Sequence, residues 1–397
     1  MKPRAIHLLS TLGFFAIFST TMAKNPVLPL FVKALGSPDA VIGVIAAVSP
    51  LAGILFSFPV GFLSDRIGRR RLLVFAGVVF LTAPALYLVV TNAWLLLPIR
   101  FFHGLATAIL GPIASAIICD EYPDTKGEKL GLYSSATLVG RTIAPVAGGA
   151  LITLLAFLPG VWNFRMVYLA CLAAGAVVFI LALSFRETTL PKTEIEPLSV
   201  RDMGRSLRAI LANPHLLGTG LVEMATYFAF GAFESYLPLY LSRSGVPAYQ
   251  IGLLFAAQVL AIAVSKPLFG KLSDRIDRRI QILSGIAIVG AGIALIGATK
   301  DYAVVLAFSI LFGLGMSLST VATNSYVADV ASRSKVGSSL GALSSIMDVG
   351  HSGGPLVTGF VAGAAGISAG FLLSFAVAAA GAVAFAVLTR RDVIRSE

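Results

Sequence analysis

Gly61-Phe62-Leu63-Ser64-Asp65-Arg66-Ile67-Gly68-Arg69-Arg70-Arg71 is a dense knot of charge hung between two long apolar runs. It returns as Gly270-Lys271-Leu272-Ser273-Asp274-Arg275-Ile276-Asp277-Arg278-Arg279-Ile280, again one aspartate, one arginine beside it and then a basic cluster. From Asp65 to Asp274 the offset is 209 residues in a chain of 397. A period of about half the chain implies two similar halves. Other marks fall on the same offset: Leu28-Pro29-Leu30 recurs as Leu237-Pro238-Leu239, and Gly36 and Pro38 recur as Gly245 and Pro247.

The apolar runs set the class. Hydrophobic residues make up 57% of the chain and charged residues 12%, and the mean hydropathy is +0.89. A soluble domain carries about a quarter charged residues, so the composition implies an all-α integral membrane protein and excludes a soluble enzyme. About 20 apolar residues cross a bilayer as a helix. Twelve such segments occur, near Ile6–Val32, Ala40–Leu63, Leu72–Val90, Leu95–Cys119, Leu130–Phe157, Met166–Phe185, His215–Leu241, Tyr249–Leu272, Gln281–Ala298, Tyr302–Ala328, Val336–Ala362 and Ala369–Leu388. They predict two pseudo-symmetric six-helix bundles, residues 1–189 and 215–397, joined by a polar connection over 190–214. Met1–Ala23 has the charge pattern of a secretion signal. Its counterpart in the seventh segment makes it part of the expected fold.

The net charge of +11 is a matter of topology rather than of nucleic acid, because the basic residues sit in short loops. Alternate loops and the termini hold twenty-two Lys and Arg on one side and four on the other, at Lys33, Arg165, Arg243 and Lys300. The excess marks the cytoplasmic side, so both termini are expected there, with the chain in the cell (inner) membrane. In the Arg186–Pro214 connection, Val200, Met203, Leu207, Ile210 and Leu211 fall on one helical face, which suggests a short helix on the inner surface. Cys119 and Cys171 lie in apolar runs and imply neither a disulfide nor a metal site.

A carboxylate beside guanidinium groups at a membrane edge forms charge-assisted hydrogen bonds. The fourth segment ends at Asp120-Glu121 and the tenth near Asp329, so each half supplies an acidic partner for its own arginines: Arg69 and Arg70 in one, Arg278 with Arg275 and Asp274 in the other. Positive-inside topology alone explains the arginines, but neither the repeated Asp65 and Asp274 nor the glycines Gly61 and Gly270.

Gly61–Arg71 resembles the loop signature of the major facilitator superfamily, and Gly270–Ile280 is a second copy with Asp277 in place of Gly68. The resemblance implies a lock on the inner gate, carried by Asp65 and Arg66, with a weaker or different lock in the second half. Arg100-Phe101-Phe102-His103-Gly104 resembles the family's Arg-x-x-Gln-Gly, with His103 for the glutamine. Gly131, Gly140, Ala144-Pro145 and Gly148-Gly149 are similar to the antiporter signature of its drug:proton branch, repeated as Gly341, Gly350, Gly354-Pro355 and Gly359. Small residues at these intervals let helices approach closely, and Pro145 and Pro355 are expected to kink them.

Ionisable residues within membrane segments are functional candidates. Here they are Lys24, Arg100, Arg141 and Lys266 against Glu223, Glu234 and Asp348, with His103 and His351 able to titrate. Lys266, close to a segment end, is read as snorkelling. The Leu-Pro-Leu alignment sets Asn25 opposite Glu234 with Lys24 one residue earlier, so Lys24 and Glu234 are expected to pair across a cavity. Arg100 with His103, and Asp348 with His351, share helix faces at i, i+3. Drug antiporters of the family often carry an acid in the first span, where this chain has Lys24-Asn25. Proton coupling then falls to Glu223, Glu234, Asp348 and the two histidines.

The expectation is a secondary transporter working by alternating access, a proton-coupled exporter of small organic molecules that functions as a monomer in the lipid bilayer. An importer of an organic anion or sugar is the alternative that Lys24, Arg100 and Arg141 favour. A receptor or scaffold without transport is a third, against which the two copies of the gate signature speak. No nucleophile–base set, metal spacing or phosphate loop occurs, so no enzyme activity, metal, cofactor other than the proton as coupling ion, or nucleic-acid partner is expected.

Overall fold

The computed structural model describes residues 2–186, 212–330 and 336–390. The surface helix expected in the Arg186–Pro214 connection lies outside them from residue 187 to 211. Of Gly61, Asp65 and Arg66 only the backbone is described. Among the described residues there are thirteen α-helices and no strand. In the first half these are α1 Lys2–Lys24, α2 Val27–Ala34, α3 Asp39–Ile67, α4 Arg69–Leu88, α5 Leu96–Glu121, α6 Lys126–Leu154 and α7 Trp162–Ser184. In the second half they are α8 Pro214–Ser242, α9 Ala248–Ser273, α10 Arg278–Gly297, α11 Tyr302–Val330, α12 Val336–Ala365 and α13 Ile367–Leu388.

The first expected segment is broken, because Pro26 has no N–H to donate and disfavours helix at Asn25 before it. The chain turns at Asn25-Pro26 and resumes as α2. Eleven spans among the described residues are long and apolar enough to cross a membrane, α1 with α2 counting as one. The remaining long helix, α12, spans 30 residues but is rich in Gly and Ser and carries Asp348 and His351. Those small residues set its packing. Gly350 lies against the backbone of Met224 and Gly354 against that of Phe228, so close that neither position has room for a Cβ.

Two compact units divide the chain: unit 1 is Met1–Pro197 with Gly245–Ala256, and unit 2 is Leu198–Ser244 with Ala257–Glu397. The opening third of α9 thus groups with unit 1. In unit 1, α4 packs on α5 and α7, and α1 on α6 and α7. In unit 2, α10 packs on α11 and α13, and α8 on α12 and α13. These are the same four pairings at matching places in each half. Apolar side chains fill the interfaces, among them Leu73, Phe80, Ile113 and Val178 in unit 1 and Val222, Ile286, Ala322 and Phe385 in unit 2. Leu154, Phe157, Val264 and Val383 stand exposed, as a surface solvated by lipid tails requires.

The two copies of the loop signature turn differently. Gly68 enters α4 at φ +95°, a left-handed conformation that glycine adopts without steric cost. Asp277 stands at φ −57° and its carboxylate accepts from the backbone N–H of Arg279 at 2.8 Å, capping α10. The glycine of one copy and the aspartate of the other are therefore two solutions to starting the next helix.

Candidate functional site

Each unit closes one end with an arginine knot. Arg69, first residue of α4, pairs with Asp120 near the end of α5. Arg70 donates from Nε to the carbonyl of Phe185 at 2.8 Å and from a terminal nitrogen to that of Leu183 at 3.3 Å, where α7 finishes. In unit 2, Arg278 pairs with Asp329 at the end of α11 and donates to the carbonyls of Ser273 and Ser325, each at 3.3 Å. Arg279 donates to the carbonyl of Thr389 past α13 at 3.0 Å. The first knot ties three helix ends together and the second four, and both ion pairs sit partly in solvent. Asp274 and Arg275 are exposed at the turn before α10, and Gly270 faces open space. Their presence is not explained by packing inside unit 2.

The interior of unit 2 is organised on α8. Glu223, Tyr227, Phe230 and Glu234 recur at i, i+4, i+7 and i+11 on one face. Eleven residues of helix separate the two carboxylates by about 16 Å. Glu223 is 3% exposed and accepts a hydrogen bond from the Thr323 hydroxyl of α11. It lines a cavity of about 370 Å³ with Tyr227, Lys266, Thr320, Asn324 and Met347. Lys266 thus does more than snorkel: its ammonium lies near enough to act on the Glu223 carboxylate. At the other end of the stripe, Glu234 is 7% exposed and its Oε2 meets Nε2 of His351 at 2.9 Å. Phe230 and Tyr227 flank the imidazole, with ring centroids 5.4 and 6.1 Å away. Tyr227 therefore belongs both to the cavity wall and to the surroundings of the pair.

Glu234 is bonded to His351 of its own unit; Lys24 is half-buried at the end of α1, with Asn25 buried beside it. Asp348 is half-buried one turn before His351 on α12. Arg141 is exposed on α6. Arg100 and His103 are buried in unit 1, at 2% and 1% exposure. Gly140 packs on the carbonyl of Phe14 and Gly148 on Val27 and Met22. Within unit 1, Gly149 meets the backbone of Ala248 and Pro145 meets Gly252. Tyr236 donates to the carbonyl of Pro355 at 3.3 Å. Thr323 and Tyr227 have no sequence signal of their own, although the four-residue stripe on α8 is readable once its acids are taken as one face.

An acid with a hydroxyl donor and a nearby ammonium, and an acid bonded to an imidazole, are groups that can exchange protons. Among the described residues no cluster of His, Cys, Asp and Glu is suited to a metal ion. A family model for the Major Facilitator Superfamily matches residues 9–252 and 219–397. An uncharacterized MFS-type transporter of Methanocaldococcus jannaschii is 25% identical over 346 residues, covering 86% of this chain and 87% of its own. Multidrug resistance protein MdtG of Klebsiella pneumoniae (strain 342) is 28% identical over 283 residues, 67% of this chain and 64% of its own. Among solved structures, the nucleoside transporter NupG superposes with a TM-score of 0.80 at 13% identity, covering 98% of this chain and 100% of that one. A bacterial homologue of the human lysosomal transporter Spinster, inward-facing and occupied, gives 0.75 at 18% identity over 98% and 96%. At such identities the structures share the fold.

Proposed function

The chain belongs to the major facilitator superfamily of transporters, and we propose that it exports small organic molecules by alternating access, driven by protons taken up in unit 2. The observation that carries this reading is the Glu234–His351 bond at 2.9 Å between α8 and α12 inside unit 2. One proton on the pair leaves it neutral overall, and its loss leaves a net negative charge in low dielectric, which favours a different packing. Glu223, facing the cavity beside Lys266, is the second acid within reach of a proton. The direction is supported by the relation to MdtG, named as a multidrug resistance protein. The two arginine knots supply the latches on which alternation acts, Asp65 and Arg66 included by their place in the signature.

The test is uptake of fluorescent organic cations into everted membrane vesicles carrying this chain, with an imposed inward-acid gradient. Accumulation that collapses when the gradient is dissipated, and that Glu234→Gln abolishes, supports the reading. Accumulation indifferent to the gradient refutes proton coupling. Uptake of organic anions into right-side-out cells, with no export, would favour the importer that Lys24, Arg100 and Arg141 suggest.

A further inference from the structure

Unit 1 holds a second polar cluster, sealed from solvent and away from the knots. Arg100 and His103 of α5 are 2% and 1% exposed, and Tyr87 of α4 and Tyr168 of α7 are 0% exposed. Tyr87 and Tyr168 stack with ring centroids 4.5 Å apart and planes 8° from parallel, and the His103 ring lies 6.0 Å from Tyr87. The Arg100 guanidinium is close enough for its charge to act on Tyr87, His103 and Tyr168. Despite this crowding, Nε of Arg100, both ring nitrogens of His103 and the hydroxyl oxygen of Tyr168 are buried without a hydrogen-bond partner, and the Tyr87 hydroxyl has only the Arg100 guanidinium within reach. Buried polar groups are almost always satisfied, and each exception asks for an explanation.

Within unit 1 the described carboxylates leave the charge unmatched as well. Among the described carboxylates of unit 1, Asp39 pairs with Lys33 and Asp120 with Arg69. Glu121, Asp124 and Glu128 lie at the far end of α5 and beyond it, about 30 Å along the helix from Arg100. A buried charge without a counter-charge is strongly disfavoured. The four side chains offer a guanidinium, two phenol O–H groups and an imidazole N–H, a set of donors around one fixed positive charge. Water would satisfy the hydrogen bonds and leave the charge.

We propose that Arg100, His103, Tyr87 and Tyr168 form an enclosed binding site for one small monovalent inorganic anion, with chloride as its representative. The enclosure excludes a lipid headgroup or an organic acid, and the single guanidinium matches a single negative charge. Bound there, the anion holds α4, α5 and α7 together at the end where α5 begins. It is separate from the acids of unit 2, so its success or failure does not depend on proton coupling.

The experiment is thermal unfolding of the purified full-length chain in sodium chloride against sodium gluconate at matched ionic strength, titrated to saturation. Expected are a saturable rise in Tm with chloride, replacement of chloride by bromide, and loss of the dependence in Arg100→Gln. Tyr87→Phe and Tyr168→Phe, each lacking one donor to the ion, should raise the half-saturating chloride concentration about tenfold or more. They serve as the decisive pair if Arg100→Gln does not fold. Equal melting in chloride and gluconate overturns the site. So does a chloride effect that survives Arg100→Gln, or one that both tyrosine variants leave unchanged.

Discussion

Replacing Gly354 by alanine adds one Cβ where the backbone of Phe228 already stands. The obstacle is the carbonyl of α8, so no side chain can rotate away and α12 must part from α8. Overpacking of this kind costs about 1–3 kcal/mol. In a domain of 150–250 residues that lowers Tm by roughly 2–4 °C per kcal/mol, so a fall of roughly 2–12 °C is expected. The parting also reaches the site. His351 lies one turn earlier on α12, and Glu234 Oε2 is 2.9 Å from its Nε2; separation by about 0.6 Å takes the pair past 3.5 Å, where a hydrogen bond is no longer made. Gly353 is the control, since a Cβ there would meet only the Phe228 ring at 3.8 Å. The assay is Tm of the purified protein together with proton-driven transport in proteoliposomes. Gly353→Ala should match the wild type in both, and Gly354→Ala should lower the Tm and lose the transport. Equal behaviour of the two variants would refute the claim that close approach of α12 to α8 positions the pair.

Further outcomes follow from the same contacts. Asp120→Asn and Asp329→Asn each remove the charge from one partly exposed knot, at about 1–2 kcal/mol; stability measured for the double variant should show the sum, and strong coupling would mean the knots are not independent. Glu234→Gln keeps the shape and removes the titrating group, so substrate counterflow should persist while accumulation driven by a pH gradient vanishes; equal loss of both would make Glu234 a structural residue. Single cysteines at Thr125 and Ser244 should react with an impermeant reagent from opposite faces of the membrane, Thr125 from the cytoplasm, and labelling from one face would overturn the orientation drawn from the basic loops.

Depth along the chain was legible in the sequence, and direction around each helix was not. The offset of 209 placed Asp120 and Asp329 at the same end as their arginines, and the ion pairs Arg69–Asp120 and Arg278–Asp329 lie there. Depth also suggested that Lys24 and Glu234 meet, since both sit beside the Leu-Pro-Leu mark. Within unit 2 Glu234 is bonded to His351, a contact that depth did not suggest, because the glycines of α12 bring that helix against the α8 face that bears Glu234. Lys266 was assigned to the membrane surface from its closeness to a segment end, yet its side chain lines the cavity with Glu223. The change from Gly68 to Asp277 read as a weaker or different lock; locally it is a change of backbone conformation, a positive φ in one copy and a side-chain cap in the other. Each of these depends on which neighbour a helix face meets, and a period of 3.6 residues without a known partner leaves that open.

The two halves are alike at their ends and unlike inside. At the offset of 209, Arg69 and Arg70 answer to Arg278 and Arg279, and both pairs bind helix ends in the same way. At the same offset Arg100 and His103 answer to Ser309 and Phe312, while Glu223 and Glu234 answer to Phe14 and Asn25. The α6 and α12 segments run one residue further apart, Pro145 matching Pro355, so His351 stands where Arg141 stands in the first half. Under the proposed function a duplicated bundle uses the same latch twice, once at the helix ends of each unit. It does not need the same interior twice. Under the proposed function, a proton arriving at Glu234 and His351 alters the charge of unit 2 alone. One unit then responds to the proton and the other serves as the fixed body against which that response is expressed.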